Sequence, residues 1–271
     1  MSPLLQLFLA VALGLLALAG VLHFIGWLGA SGGLFRRVSD VLCRAPLVDV
    51  VLFAFTAVPW IVGAITHGWL GVAMSVGAQV GALWAWIILH EITHPAARKG
   101  PRIYRTLDGI VGRFRNHFGM WWTAWVVPVF WGVRFGQYFV YPVITWTTRL
   151  PKYRQGDWVN MSRQKFSGLV GYDLIWCLYC DWMTGVWSLG SEMLRNVESF
   201  WCPIRFYSEK KCENCKVDFP DVAGGWVAAD GTMQDVTKVL QEQYGTIGPV
   251  KPWFGHPARL TIDGADPAPR R

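Results

Sequence analysis

The sequence predicts an all-α integral membrane protein, a polytopic helical bundle with re-entrant or interfacial Trp-rich helices and a small irregular soluble C-terminal tail. Three observations predict it. Of the 271 residues, 53% are hydrophobic and only 16% charged, where a soluble domain carries about a quarter charged residues. Uncharged runs long enough to cross a hydrocarbon core of ~30 Å recur through the first ninety residues. The charge is also partitioned: residues 1–206 hold 17 Lys/Arg against 9 Asp/Glu and the remainder 8 against 9, so the positive excess behind the net +7 lies wholly in the apolar part and the remainder is slightly acidic. These values exclude a disordered tail, a collagen-like fibre and a small disulfide scaffold. Nucleic acid is not an expected partner, because the basic residues sit in short segments between apolar runs, where topology places them.

Residues 1–29 are the first transmembrane helix, since Pro3 to Leu28 carries no charge and is mostly Leu, Ala, Val and Phe. A cleaved signal peptide fits less well: there is no basic leading region, the apolar run is too long and no A-x-A site follows. Arg36, Arg37 and Arg44 come next. Residues 47–94 form a transmembrane hairpin, with Leu47 to Leu70 and Gly71 to Leu89 as its arms. The link at Thr66-His67-Gly68-Trp69 is too short for anything but an antiparallel return. Residues 95–119 are a basic loop, with Arg98, Lys99, Arg102, Arg105, Arg113 and Arg115 against Asp108 alone. Both basic segments then share one side, which the positive-inside rule makes cytoplasmic, as in a bacterial inner membrane.

Residues 120–146 are apolar and aromatic but contain Arg134, Gln137, Pro128 and Pro142. A true span would throw the next basic loop outside, against the charge bias. A re-entrant or interfacial pair of half-helices broken near Trp131-Gly132 keeps that loop inside. Residues 168–193 are a membrane-inserted, Cys-bearing helix, whose Asp173 and Asp181 call for cover by protein. Residues 194–271 are the soluble Cys-containing tail, with one short helix from Thr232 to Tyr244 and a Gly/Pro-rich end from Gly245.

Two constellations carry chemistry. Cys177-Leu-Tyr-Cys180 and Cys212-Glu-Asn-Cys215 are C-x2-C pairs separated by 31 residues, with Cys202 between them. Paired thiolates at that spacing grip one metal, and two such pairs make a four-thiolate site for zinc, with an iron–sulfur cluster as the alternative. Cys177 and Cys180 also suit burial as small hydrophobes, and an oxidising compartment would favour disulfides or a thiol relay.

The second is His90-Glu91-Ile92-Thr93-His94, an H-E-x-x-H at the end of the third apolar run. On a helix its two imidazoles share a face and the Glu is placed to polarise a bound water. With Pro95-Ala96-Ala97-Arg98 and Leu107-Asp108-Gly109 downstream, this stretch of about twenty residues resembles the intramembrane site-2 zinc proteases. The resemblance implies His90, His94 and Asp108 as zinc ligands and Glu91 as the base. Pro95, directly after the second His, and the basic surroundings of Asp108 depart from that family's pattern. The motif is also similar to the first histidine box of membrane desaturases and hydroxylases, whose further boxes are missing here. The plain reading is an interfacial helix end with Pro95 as its stop.

Nine of the 17 Trp, among them Trp121, Trp122, Trp131, Trp146 and Trp187, lie between residues 120 and 190. They suit an aromatic belt against membrane lipid, or a docking face for other membrane subunits. The expected function is therefore an accessory subunit of a multi-subunit membrane complex with a Cys-ligated metal fixing its tail. A membrane metalloenzyme built on His90, Glu91 and His94 is the alternative.

Overall fold

The structure, a computed structural model, describes residues 1–150, 152–208, 210–211 and 222–244. Among them there is no strand, only helices and two isolated bridges. Contacts divide the chain into two compact units, Met1–Trp125 with Val159–Gly185, and Val126–Trp158 with Val186–Arg271.

In the first unit, α1 (Pro3–Ala30) begins where Ser2 Oγ accepts the Leu5 N–H and Pro3 takes the first position, which needs no donor. It ends at Gly32 and Gly33, whose φ values of +93° and +64° turn the chain into α2 (Gly33–Leu42). Then come α3 (Leu47–Phe55) and α4 (Ala57–Thr93). Two helices, α1 and α4, are long and apolar enough to cross a membrane.

α4 is interrupted. His67 and Gly68 leave helical geometry, Gly68 at φ +59°, and the chain reverses there within the Thr66–Trp69 link. The reversal is fixed by contacts between the arms 57–66 and 69–93. A Cβ on Gly71 would land on the Gly63 carbonyl oxygen, and one on Gly63 would land on that of Gly71. Ser75, Ala78 and Ala82 continue the small buried seam along the long arm, the residue type that lets helix backbones approach closely in lipid.

Pro59 has no N–H to give the carbonyl of Phe55. Gln79 supplies the missing donor from across the hairpin. Its Nε2 donates to Phe55 O (2.7 Å) and Thr56 O (2.8 Å), and its Oε1 accepts from Trp60 Nε1 (2.7 Å). On another face of the same arm, Gly77 and Gly81 leave room for the Phe8 ring of α1. Farther along, His23 of α1 stacks on Trp86 (5.6 Å). Phe8 and His23 thus meet α4 in the same order, so α1 and the long arm run parallel and end together.

The stretch 95–119, which the sequence suggests is a loop, is helical: α5 (Pro95–Lys99), α6 (Ile103–Val111) and α7 (Arg113–Trp122), with Gly112 at φ +87° between the last two. Apolar residues at 103, 107, 110, 114 and 118 carry the period, which the dense arginines between them obscure. α11 (Gly171–Trp201) contributes to both units. Its first half touches the end of α4 at Glu91 and the start of α3, where Trp182 Nε1 donates to Asp49 (2.9 Å).

In the second unit, α8 (Val127–Phe135) passes straight through Trp131-Gly132, where the sequence suggests a break. The irregularity is instead a π-turn at Gly136–Val140, just before α9 (Tyr141–Thr148). Pro142 explains it, since the carbonyl four residues earlier receives no amide proton and the turn widens. Arg134 is buried, with its guanidinium 4.3 Å from the Tyr138 ring centroid and bonded to Gln137. Gln137 Nε2 in turn donates to Val186 O (2.8 Å). A closing helix, Met233–Tyr244, starts at a Thr232–Asp235 capping box, whose bonds hold the Asp235 carboxyl below the usual carboxylate range.

The hairpin seam makes a direct prediction. Gly71→Ala forces the arms apart and destabilises by about 1–3 kcal/mol, whereas Gly77→Ala, 3.7 Å from the Phe8 ring, leaves stability unchanged. Thermal midpoints in detergent check this, and equal midpoints would mean that the arms do not touch.

Candidate functional site

The end of α4 gathers the residues that the sequence singles out. His90 and His94 lie one turn apart with their rings stacked at 4.2 Å, and His23 approaches His90 at 5.0 Å. The two motif rings play different parts. The Gly171 N–H donates to His90 Nδ1 (3.2 Å), so a neutral His90 keeps its proton on Nε2. His94 Nδ1 lies 2.9 Å from the His90 carbonyl, an acceptor only, so this nitrogen is the donor and Nε2 carries the free lone pair. The pair thus presents one lone pair and one N–H.

Glu91, beside them, turns toward Arg102. Its Oε1 accepts from Arg102 Nη2 (2.7 Å) and from the Tyr172 N–H (3.5 Å), and its Oε2 lies 4.0 Å from Arg98. Arg102 is buried and also donates from Nε to Asp173 Oδ2 (2.6 Å) and from Nη2 to Val170 O (3.0 Å). Burial works against the charge on Arg102, but its bonds to the two carboxylates outweigh that and hold the proton more firmly than in water. Asp173 accepts two further bonds, from Ile103 N (3.2 Å) and Tyr104 N (3.0 Å). It therefore caps α6, whose own N-cap residue, Arg102, offers no acceptor. One arginine and two carboxylates join α4, α6 and α11.

Gly171 is required at this joint. It sits at φ +50°, and a Cβ there would fall on the side chain of Glu91. Around it, Tyr172 stacks on Trp84 (5.9 Å), meets Tyr104 edge-on (5.5 Å) and shares a hydrogen bond with His117 (2.9 Å). Trp121 and Trp176 close the cluster.

Asp108 lies elsewhere. It accepts from Asn116 Nδ2 (2.8 Å) and pairs with His117 (3.4 Å), joining α6 to α7. Among the described residues, no group of three or more His, Cys, Asp or Glu is arranged to hold a metal ion. Cys177 and Cys180 are unbridged, partly exposed and on the helix α11. Cys202 is unbridged and exposed in the second unit, and Cys212 and Cys215 lie outside the described residues.

Sequence reasoning missed Arg102 and His23. A signal for Arg102 existed, because Glu91 and Asp173 sit in apolar surroundings and a buried acid demands a cation. His23 is a lone histidine in an apolar run, and nothing in the sequence pairs it with His90. No protein-family model, curated protein or solved structure matches this chain, so its function is read from the site.

Arg102→Met strands two partly buried carboxylates and destabilises by about 3–5 kcal/mol. The uncharged triple variant Glu91→Gln/Arg102→Met/Asp173→Asn recovers a large part of that loss. Thermal unfolding in detergent checks both, and a triple variant no better than the single one would show that the network is not an ion-pair joint.

Proposed function

We propose that this chain is a polytopic helical membrane protein acting as a non-catalytic, accessory subunit of a larger membrane assembly. One observation carries the choice against an enzyme: Glu91, the residue an H-E-x-x-H hydrolase needs as its base, is bonded to Arg102 and to the Tyr172 amide. A base already spoken for by a buried guanidinium and a backbone amide is not free to polarise a water, and the motif then serves as a helix joint.

The docking face is the outward side of α8 and α9. Phe135, Phe139, Val143 and Trp146 are exposed there, Trp146 at 81%, while the polar Arg134 and Gln137 are turned inward. Large aromatic side chains on one face are what helical subunits use to anchor to one another. The metal reading is part of this proposal. Of the five cysteines, Cys202, Cys212 and Cys215 would supply thiolates for zinc, in preference to an iron–sulfur cluster, and the ion would clip the tail in place, whereas Cys177 and Cys180 stand more than twenty residues earlier along the single helix α11 and cannot share it.

Photocrosslinking from position 146 in native membranes is expected to capture a second integral protein that also co-purifies at constant ratio. Trp146→Ser is expected to lose that partner with its own melting temperature unchanged. Adducts with lipid alone would overturn the docking face. Counting zinc and iron per chain in detergent-purified wild type and Cys212→Ser tests the clip. One metal lost in the variant supports it, metal retained moves the site to His90 and His94, and none in either removes it.

A further inference from the structure

We infer that the outer face of α6 and α7, together with α2, lies in the headgroup layer of a leaflet rich in anionic lipid. The inner face of α7 is occupied: Asn116 bonds Asp108, and His117 bonds Tyr172. On the outer face, Phe114, Phe118, Trp122 and Trp125 form a ladder of rings at successive centroid distances of 5.5, 5.5 and 6.3 Å. All four rings are exposed, Phe114 at 77% and Trp125 at 75%. Arg113 and Arg115 flank this ladder and are exposed, as is Arg105 on α6. α2 repeats the pattern in miniature, with Leu34, Val38 and Val41 exposed at helical spacing beside Arg36 and Arg37.

The place of these helices argues for lipid as the occupant. α1 and the long arm of α4 run parallel, so α2 and α6–α7 leave the same end of the unit. Lys165 is tied to α2 there through Asp40 (2.9 Å). If α1 and α4 span a bilayer, a stripe of rings just past their ends falls at headgroup depth, where Trp settles and arginine reaches phosphate. A surface with this excess of arginine and few acids complements an anionic leaflet, whose attraction grows with each added Lys or Arg. The inference rests on the spanning part of the proposed function and stands apart from the subunit part.

The test uses the full chain in nanodiscs of phosphatidylcholine alone and of phosphatidylcholine mixed with phosphatidylglycerol. Amide exchange over 33–42 and 113–122 is expected to slow about tenfold in the anionic discs. The difference over 113–122 should vanish in Arg105→Gln/Arg113→Gln/Arg115→Gln, while exchange over 69–93 stays as in the wild type. Equal exchange of the wild type in the two discs would overturn the inference. Independently of those variants, a photocrosslinker at position 118 in native membranes is expected to give lipid adducts. Protein adducts from that position would overturn it, and the outcome at position 146 bears only on docking.

Discussion

Arg102 bridges two carboxylates, Glu91 and Asp173, and much of the first unit is arranged around that fact. Glu91 belongs to the end of α4, Asp173 to the start of α11, and Arg102 immediately precedes α6. Removing Arg102 leaves two buried or half-buried charges uncompensated, which is far more destabilising than never having placed them there. The same carboxylate that pairs with Arg102 also terminates α6 through two backbone amides. One residue thus fixes both the charge balance and a helix origin, and α11 can enter only because Gly171 has no side chain to collide with Glu91.

A second constraint acts along the hairpin, where a carbonyl freed by proline needs another donor. Pro59 opens the hydrogen-bond ladder, and Gln79 closes it from the facing arm while accepting from Trp60. In an apolar medium an unmet carbonyl is expensive, so a glutamine amid Gly, Ala and Val is a repair and not an anomaly. The small seam of Gly63, Gly71 and Ser75 brings the arms close enough for that repair to reach. Proline, glutamine and glycine here form one device spread over distant positions.

Much of the helical layout was legible in the sequence because apolar run length and charge placement act locally. The ends of α1, the turn at His67-Gly68 and the capped helix after Thr232 follow from such local rules. What was not legible depends on partners distant in sequence. The segment 95–119 reads as a loop because its arginines dilute the apolar period, yet Asp173, some seventy residues away, caps α6 within it. The irregularity near residue 136 was placed at Gly132 because glycine is the usual breaker, whereas the missing amide of Pro142 governs. For the site, the motif residues His90, Glu91 and His94 were visible, but their roles were not: whether Glu91 faces the histidines or Arg102 is decided by where α11 lies. Asp108 was drawn into the motif by resemblance, and Asn116 and His117, one helix on, hold it instead.

The basic residues near the ends of α1 and α4 serve two ends that are usually argued separately. As surface charge they make this end of the unit basic; as individual side chains they neutralise acids that the packing places there. Arg102 does the second outright, Lys165 does it at Asp40, and Arg98 stands within 4.0 Å of Glu91. The acids are needed because helix N-termini at this end, those of α6 and α11, present unmet amides that favour negative charge. A chain that turns several helices around at one end of a unit thereby requires carboxylates there, and the carboxylates require arginines. The H-E-x-x-H pattern at the end of α4 is explained by that sequence of demands: a glutamate to bind Arg102, a His90 nitrogen to receive the Gly171 amide, and a His94 to bond the carbonyl of His90 before Pro95 stops the helix.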